Sequence, residues 1–398
     1  MEIFGQVSIS WLGKKWWFFG FSWLLIALGV IGYFSYGGME FGIDFTGGTL
    51  IKLKFKQTPD LELIRQSLRT EAATPPLIQR YGLESENEVQ IRMQSVFGED
   101  KGIDADRSQL LNVLREAFDP EHADGSQTDF NNIGKDALHK YLLEADPDNL
   151  TSQSKTTQEI DTHYGSLAQS MLDYRDTEGK GLVQTLEDLK AVPGVSEAVI
   201  AALNRTMYAG PFAVKGHESV GAIVGSDLRR RAQWAVGLSF VGMLIYVGFR
   251  FKPIYGVAAV IALFHDLAIT IGLFALTQKE ISLTVIAAFL TLVGYSMNDS
   301  IVVFDRVREN LRIMRKESLS KILDLSINQT LARTIMTSGM TFLSVFALFV
   351  FGGEVLNGFS FALTIGIIIG TYSSIGIACP IVDWWYRSSE EASKGKAA

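Results

Sequence analysis

Long runs of apolar residues alternate with polar stretches along the chain. Six of these runs come close to or exceed the roughly 20 residues that an α-helix needs to cross a bilayer. They lie at 16–36, 233–250, 254–276, 283–304, 335–352 and 358–380. One run precedes a long polar stretch, and five follow it in quick succession. The pattern predicts an α-helical polytopic membrane protein with six transmembrane helices.

The polar stretch between the first two runs has its own periodicities. Ile51, Leu53 and Phe55 alternate with Lys52 and Lys54, which indicates a strand with one buried face. Further elements are predicted at 61–68 (helix), 89–93 (strand), 199–207 (helix) and 211–214 (strand). Strand–helix–strand followed by helix–strand predicts an α+β, ferredoxin-like domain. The segment of about 97–188 is then a helical insertion in that domain.

These patterns divide the chain into five parts. In chain order they are the cytoplasmic N-terminus 1–15, transmembrane helix 16–36, an extracytoplasmic domain 37–232, a five-helix membrane domain 233–386 and a cytoplasmic tail 387–398. The orientation follows from the basic residues, because cytoplasmic loops carry an excess of Lys and Arg. Lys14 and Lys15 precede the first helix, and seven Lys or Arg lie in the predicted loop 305–333. The first helix exceeds the apolar core of a signal peptide, and we interpret it as a retained anchor.

The composition and the motifs that are missing exclude several classes of function. The 398 residues are 47% hydrophobic and carry a net charge of −7, and stretch 58–190 holds 26 acidic residues against 13 basic ones. Such a domain has no basic face for nucleic acid. The chain lacks a phosphate-binding loop, metal-site spacing of His and Cys, and a nucleophile elbow. We therefore expect a transport protein rather than an enzyme, with no metal and no cofactor.

Asp299 is the leading candidate for chemistry because it lies within a predicted span. A carboxylate at the bilayer centre costs about 2.5–3.5 kcal/mol on insertion scales, and it indicates a functional site by default. Tyr295 shares its helix face, and Asn298 and Ser300 add polar groups nearby. The alternative is an aspartate that only joins helices. Ser, Thr and Asn normally do that in membranes, so the functional interpretation is favoured.

Two further polar positions fall within predicted spans. His265 and Asp266 lie near the middle of 254–276 and place a group that titrates near neutral pH beside a carboxylate. They could also be a polar pair satisfied by a neighbouring helix. Arg333 opens the fifth span, where it is either an interfacial arginine that snorkels to the headgroups or a counter-ion for Asp299. Asp299, Asp266 and Arg333 together could form a proton relay.

Two motifs resemble those of the SecF family, which belongs to the SecD–SecF protein-export complex. Gly42–Thr49 is similar to the family's motif after the first span, and Gly294–Asn310 strongly resembles its GYSxNDTxVVFDRxREN signature. The pair His265-Asp266 and the stretch Leu331–Thr334 also fit. Ser300 replaces a threonine, and the insertion at about 97–188 is longer than the resemblance explains.

The resemblance implies a half-transporter fold similar to resistance–nodulation–division exporters. It implies SecD, the SecYEG channel, an unfolded exported polypeptide and membrane lipid as partners, in the bacterial cytoplasmic membrane. It also implies proton coupling by Asp299, Arg333 and Asp266, with His265 in support. The cytoplasmic end of the signature contributes Asp305, Arg306, Arg308 and Glu309.

Three functions remain open from the sequence. The first is a proton-driven export subunit in which protonation of Asp299 changes helix packing and moves the outer domain. The second is a small-molecule exporter subunit of the same superfamily. The third is a scaffold that holds SecD and the channel together without coupling to the proton gradient.

Overall fold

The computed structural model describes residues 8–69, 76–82, 84–93, 103–153, 155–251 and 253–395. Residues 1–7, 70–75, 83, 94–102, 154, 252 and 396–398 lie outside the described ranges, and with them parts of the predicted N-terminus, outer domain with its insertion, membrane domain and tail. The chain divides into two compact units. The membrane unit comprises Met1–Phe45 and Ser226–Ala398, and the sheet unit comprises Thr46–Gly225.

The secondary structure is mainly helical, with one small sheet. The helices are α1 (Lys15–Ser35), α2 (Ile43–Thr46), α3 (Leu61–Arg69), α4 (Ile103–Phe118), α5 (Lys135–Ala145), α6 (Thr157–Asp176), α7 (Glu197–Thr206), α8 (Ala222–Arg250), α9 (Pro253–Thr277), α10 (Leu283–Ile313), α11 (Leu319–Phe351), α12 (Gly353–Ser373) and α13 (Cys379–Gly395). A π-helical turn, Ser374–Ala378, joins α12 to α13. The strands are β1 (Gly48–Phe55), β2 (Leu77–Tyr81), β3 (Glu88–Met93), β4 (Thr128–Asp129), β5 (Met207–Tyr208) and β6 (Phe212–Val220).

Six helical segments in the described residues are long and apolar enough to cross a membrane, and this confirms the predicted fold class. Their ends differ from the apolar runs. α10 continues beyond residue 304 to Ile313, and α11 begins at Leu319 instead of 335, so most of the predicted 305–333 loop is helical. Arg, Lys, Glu and Leu are good helix formers, so a helix continues after its apolar run has ended.

α12 is the central helix of the membrane unit and packs against α9, α10 and α11. Small residues allow the close approach. A Cβ atom added at Gly366 would lie 2.5 Å from the Leu292 side chain, and one at Gly370 would lie 3.0 Å from Ser296 Cβ. Within a bilayer the hydrophobic effect does not drive helices together, so close van der Waals packing at small residues such as glycine stabilises their association.

The segment before α1 is tied to α11 by polar contacts. Asn328 accepts hydrogen bonds from Ile9 N (3.3 Å) and Trp11 Nε1 (2.9 Å) and donates one to the Ile9 carbonyl (2.8 Å). Asp324 accepts from Leu12 N at 2.9 Å. The N-terminal part of α11 therefore holds the segment that precedes the first span in place by hydrogen bonds.

The sheet unit contains an antiparallel sheet in the order β2-β3-β1-β6. With α3 between β1 and β2 and α4 between β3 and β6, this is the ferredoxin-like topology that the sequence predicts. Two of its parts were assigned wrongly. β2 was not predicted, because only Ile78 of this edge strand is fully buried and its apolar pattern is weak. The second sheet helix is α4, and the predicted 199–207 helix, α7, packs elsewhere.

α5, α6 and α7 build a second core within the sheet unit. Its buried side chains include Phe130, Leu138, Leu142, Tyr164, Met171, Leu189, Val199 and Leu203. This core is distinct from the one that the sheet forms with α3 and α4. The predicted insertion therefore divides: α4 packs on the sheet, and the part from Phe130 onward forms a small helical lobe with its own apolar interior, to which α7 also belongs.

A cluster of polar side chains joins this lobe to the last strand. Buried Asn131 bonds the carbonyls of Val183 and Gly210, and Asn132 bonds the carbonyl of Phe212. Asp129 accepts from Asn131 N at 2.9 Å and Gly210 N at 2.8 Å. Burial raises the pKa of Asp129 above its ordinary value despite these hydrogen bonds.

Candidate functional site in the membrane unit

Asp299 lies inside α10 with only 1% of its surface exposed. Ser338 of α11 donates a 3.0 Å hydrogen bond to its Oδ2 atom. Thr371 of α12 also lies within reach of the carboxylate. Among the described residues, Asp299 forms no ion pair. A carboxylate is thus enclosed between three spans with hydroxyl groups as its neighbours.

Asp266 of α9 is fully buried and has more partners than Asp299. Its Oδ2 accepts hydrogen bonds from Ser296 of α10 at 2.5 Å and from Ser373 of α12 at 2.9 Å. Its Oδ1 lies 2.9 Å from His265 Nδ1. The carboxylate therefore connects three spans, and the satisfied-pair alternative describes its geometry well.

His265 extends this network to the first span. Its Nε2 lies 2.8 Å from Ser22 Oγ in α1 and 3.2 Å from the Tyr372 hydroxyl in α12. The two hydroxyls are themselves 2.7 Å apart. A neutral imidazole fits this arrangement, because Nδ1–H can donate to Asp266 while Nε2 accepts from a hydroxyl. The chain of contacts runs from the Asp266 carboxylate to the α1–α12 boundary.

Arg333 is not brought to Asp299. Its side chain is exposed and forms no ion pair with a described residue, whereas Thr334 and Ser338 carry the buried face of α11. Arg333 also lies well within α11 and does not open it, because that helix begins at Leu319. Of the two alternatives for Arg333, the interfacial arginine agrees with this exposed position, and the donor to Asp299 from α11 is the Ser338 hydroxyl.

The supporting residues near Asp299 separate by orientation. Ser300 is buried, Asn298 is exposed, and the buried Tyr295 hydroxyl has no hydrogen-bond partner among the described residues. Ser296, one turn before Ser300, instead serves Asp266. One polar residue close to Asp299 in the sequence is therefore a hydrogen-bond donor to the other carboxylate.

The C-terminal end of the signature continues α10 and joins it to α11. Arg306 Nε donates to Gln329 Oε1 at 2.7 Å, and the same oxygen accepts from Asn310 Nδ2 at 2.9 Å. Arg306 also pairs with Glu309. Asp305 pairs with Arg250 at the end of α8 at 3.2 Å. Arg306 and Asn310 thus connect α10 to α11 through Gln329, and Asp305 connects it to α8, while Arg308 is exposed.

Comparison with known proteins assigns the chain to a family. Residues 199–388 match the family model described as protein export membrane protein SecD/SecF, C-terminal, and residues 37–59 match the SecD/SecF GG motif. The protein translocase subunit SecF of Koribacter versatilis is 44% identical over 387 residues, covering 96% of this chain and 93% of the relative. The chain belongs to the SecF family. SecF of Calditerrivibrio nitroreducens is 35% identical, with 94% and 93% coverage.

Solved SecDF structures share the fold. The crystal structure of SecDF from Thermus thermophilus, a translocon-associated membrane protein, has a TM-score of 0.64 and 27% identity and matches 96% of this chain. SecDF in its super-membrane-facing form gives a TM-score of 0.54 at 28% identity and matches 99% of this chain. The chain spans about two fifths of the length of these SecDF chains, 39% and 41%.

The glycine-pair motif of the SecF family has a structural task within the membrane unit. Asp44 Oδ2 accepts a 2.9 Å hydrogen bond from the backbone N of Leu283, the first residue of α10. Gly42 N donates to the Ile281 carbonyl at 2.9 Å. A carboxylate at a helix N-terminus satisfies a free N–H group and interacts well with the helix dipole. The motif therefore fixes the start of the helix that carries Asp299.

Three members of the network around Asp266 and His265 were not predicted from the sequence. Ser22, Tyr372 and Ser373 look like ordinary polar residues of apolar spans. Their hydroxyl groups within apolar spans do indicate hydrogen bonds between helices, because such groups in membranes tend to bond to a neighbouring helix. The sequence did not say which helices would meet, and that pairing decides which serine reaches which carboxylate.

Proposed function

We propose that the chain works with SecD in the late stages of polypeptide translocation across the bacterial cytoplasmic membrane, driven by the proton gradient. The observation that carries this proposal is the state of Asp299. It is 1% exposed inside a span, has a hydroxyl donor, and has no cationic partner among the described residues. A group held this way differs greatly in solvation between its charged and neutral forms, so proton binding is coupled to its surroundings.

The proposed coupling step is local to the packing of α10. When Asp299 is charged, it needs hydrogen-bond donors such as Ser338 of α11. When it binds a proton it becomes a donor itself and no longer needs them in the same geometry. The preferred packing of α10 against α11 and α12 therefore differs between the two states. Asp266, with three donors, would hold α9 in place and complete the relay with His265.

We place Arg333 at the boundary with SecD and not beside Asp299. Its exposed position on α11 supports this, since an arginine on a span is stable only with a partner or with access to the interface. The likeness to SecDF supports the SecD partnership. SecYEG and an unfolded polypeptide are the remaining proposed partners, and the Lys and Arg distribution supports an extracytoplasmic sheet unit.

Asp299→Asn tests the proposal, because asparagine keeps the shape and removes the titratable proton. Vesicles that contain the complete export machinery would be assayed with and without an imposed proton gradient. We expect gradient-stimulated export to be lost in Asp299→Asn while assembly with SecD stays normal. Asp305→Asn is the matched control, since it makes the same chemical change at an exposed position. Full gradient-stimulated export in Asp299→Asn would overturn the proposal.

The scaffold function is the second candidate, and the fully partnered Asp266 favours it. In that case the buried carboxylates only join helices. Export by the wild type would then be insensitive to collapse of the proton gradient, and Asp299→Asn would behave like the wild type after correction for protein amount. Membership of the SecF family speaks against the small-molecule exporter.

A further inference from the structure

Three arginines from two helices converge on one cleft at the end of the membrane unit where α8 and α10 leave the apolar zone. The cleft has a volume of about 480 Å³. Arg250, Arg308 and Arg312 supply its charge, and Phe249, Phe251 and Leu311 supply apolar walls. Arg308 and Arg312 are four residues apart on α10 and so lie on the same face of the helix.

The positive charge of the cleft is not balanced by the acidic residues around it. Asp305 pairs with Arg250, and both side chains are about half exposed. Glu309, the other acidic residue of this turn, is committed to Arg306. Arg308 and Arg312 form no ion pair within the described part of the chain. Two of the three guanidinium groups are therefore available to an anion.

The apolar walls indicate what kind of anion fits. Phe249 is 91% exposed and lies next to Arg250 at the end of a membrane-spanning helix. A free phosphate ion gains no favourable contact from an exposed aromatic ring. A phospholipid has both a phosphodiester, which can bind the arginines, and acyl chains, which can pack against the ring. Guanidinium groups bind phosphate oxygens in a bidentate manner, and arginines near a span end suit anionic headgroups.

We propose that this cleft is a binding site for an anionic phospholipid. The headgroup phosphate lies among Arg250, Arg308 and Arg312, and an acyl chain lies against Phe249. Arginines that merely snorkel to the interface would not need to converge from two helices on one cavity. The site is separate from both buried carboxylates and does not depend on the proposed proton coupling.

Binding would be measured on the full chain in neutral detergent, with phosphatidylglycerol as the probe and phosphatidylcholine as the neutral lipid. We expect phosphatidylglycerol to raise the thermal unfolding temperature more than phosphatidylcholine does. In Arg308→Gln/Arg312→Gln the affinity for phosphatidylglycerol should fall at least fivefold. Arg315→Gln/Lys316→Gln removes the same charge from the neighbouring exposed turn and should leave the affinity within twofold of the wild type.

Two further arms identify the ligand class. Inorganic phosphate at the same concentration should give no stabilisation, and Phe249→Ala should weaken phosphatidylglycerol binding although no charge is changed. If the double glutamine variant does not fold, Arg308→Lys/Arg312→Lys replaces it and should weaken binding less. Equal binding of the two lipids, equal stabilisation by free phosphate, tighter binding of an acidic peptide than of phosphatidylglycerol, or equal losses in the two double glutamine variants would overturn the proposal.

Discussion

Ser338 of α11 and Asp299 of α10 are joined by a 3.0 Å hydrogen bond between Oγ and Oδ2, deep between two spans. Arg333 lies five positions earlier on α11, and its side chain is exposed. The contact between these helices at the carboxylate therefore depends on a neutral donor. A neutral donor can lose its partner on proton binding at much lower cost than a buried arginine could.

Ser338→Ala is expected to weaken the α10–α11 contact. A hydrogen bond to a charged group contributes about 1.5–3 kcal/mol, and its loss leaves a buried carboxylate with one donor fewer. The free energy of unfolding in mixed detergent micelles should fall by about that amount, and gradient-stimulated export should fall with it. Thr337→Ala is the control, because Thr337 is exposed and bonds only to carbonyls of its own helix. Equal unfolding free energies for the two variants would contradict this interpretation.

The second prediction concerns the network around Asp266. Asp266→Ala removes the acceptor shared by three donors and should destabilise the membrane unit by about 3–5 kcal/mol, the range for breaking a buried charged network. Ser22→Ala removes only an outer hydroxyl, and we expect about 1–3 kcal/mol. Thermal unfolding of the full chain in detergent measures both. A Ser22→Ala loss as large as that of Asp266→Ala would show that the network is organised around His265 instead.

The number of spans and the presence of two carboxylates within them could be predicted from the sequence, because a charged residue in an apolar run is rare and easy to recognise. Asp299 and Asp266 are both buried, as a functional or structural role inside a membrane requires. The roles assigned to them stay predictions. Helix ends were less accurate. α11 begins at Leu319 because its first turns already bury an apolar face that includes Ile322, Leu323 and Ile327. Polar residues interrupt this face in the sequence, so a search for continuous apolar runs does not detect it.

The sequence also could not predict which side chains contact each other. Ser338 and Arg333 are both polar residues of one helix, and only the rotation of α11 about its axis decides which reaches Asp299. In the sheet unit, Val199 and Leu203 predicted a correct helix but the wrong packing surface, because an apolar helix face does not specify which core will bury it. Such choices depend on tertiary packing and not on local pattern.

The third prediction concerns the crossing of α1 and α9. A Cβ atom added at Gly29 would lie 2.5 Å from Gly272 Cα and 3.0 Å from its carbonyl carbon, so backbone would have to move. Gly29→Ala should therefore destabilise the membrane unit by about 1–3 kcal/mol through overpacking. Gly20→Ala, in the same helix, has nothing within 4 Å and should be neutral or slightly stabilising. Thermal unfolding of both variants measures the difference, and equal changes in stability would contradict a tight crossing of α1 and α9.

The last prediction concerns Asp146, which ends α5 in a left-handed conformation with φ of 39°. Burial opposes its charged form, but hydrogen bonds from Thr151 and Tyr164 outweigh that effect and lower the pKa of Asp146 to about 2. The ordinary value is about 3.9. The stabilisation is therefore fully present above about pH 4 and is lost as the pH falls toward 2. Screening at this partly exposed site limits it to about 1 kcal/mol.

Pepsin cleavage of the full chain provides the measurement, since the protease stays active across this pH range. After correction with a reference substrate, wild-type cleavage near the α5–α6 connection should rise as the pH falls from 4 to 2. Asp146→Asn tolerates the left-handed backbone and cannot titrate, so its cleavage should be faster at pH 4 and change less with pH. Parallel pH profiles for the two proteins would mean that Asp146 does not supply the pH-dependent stability of the helical lobe.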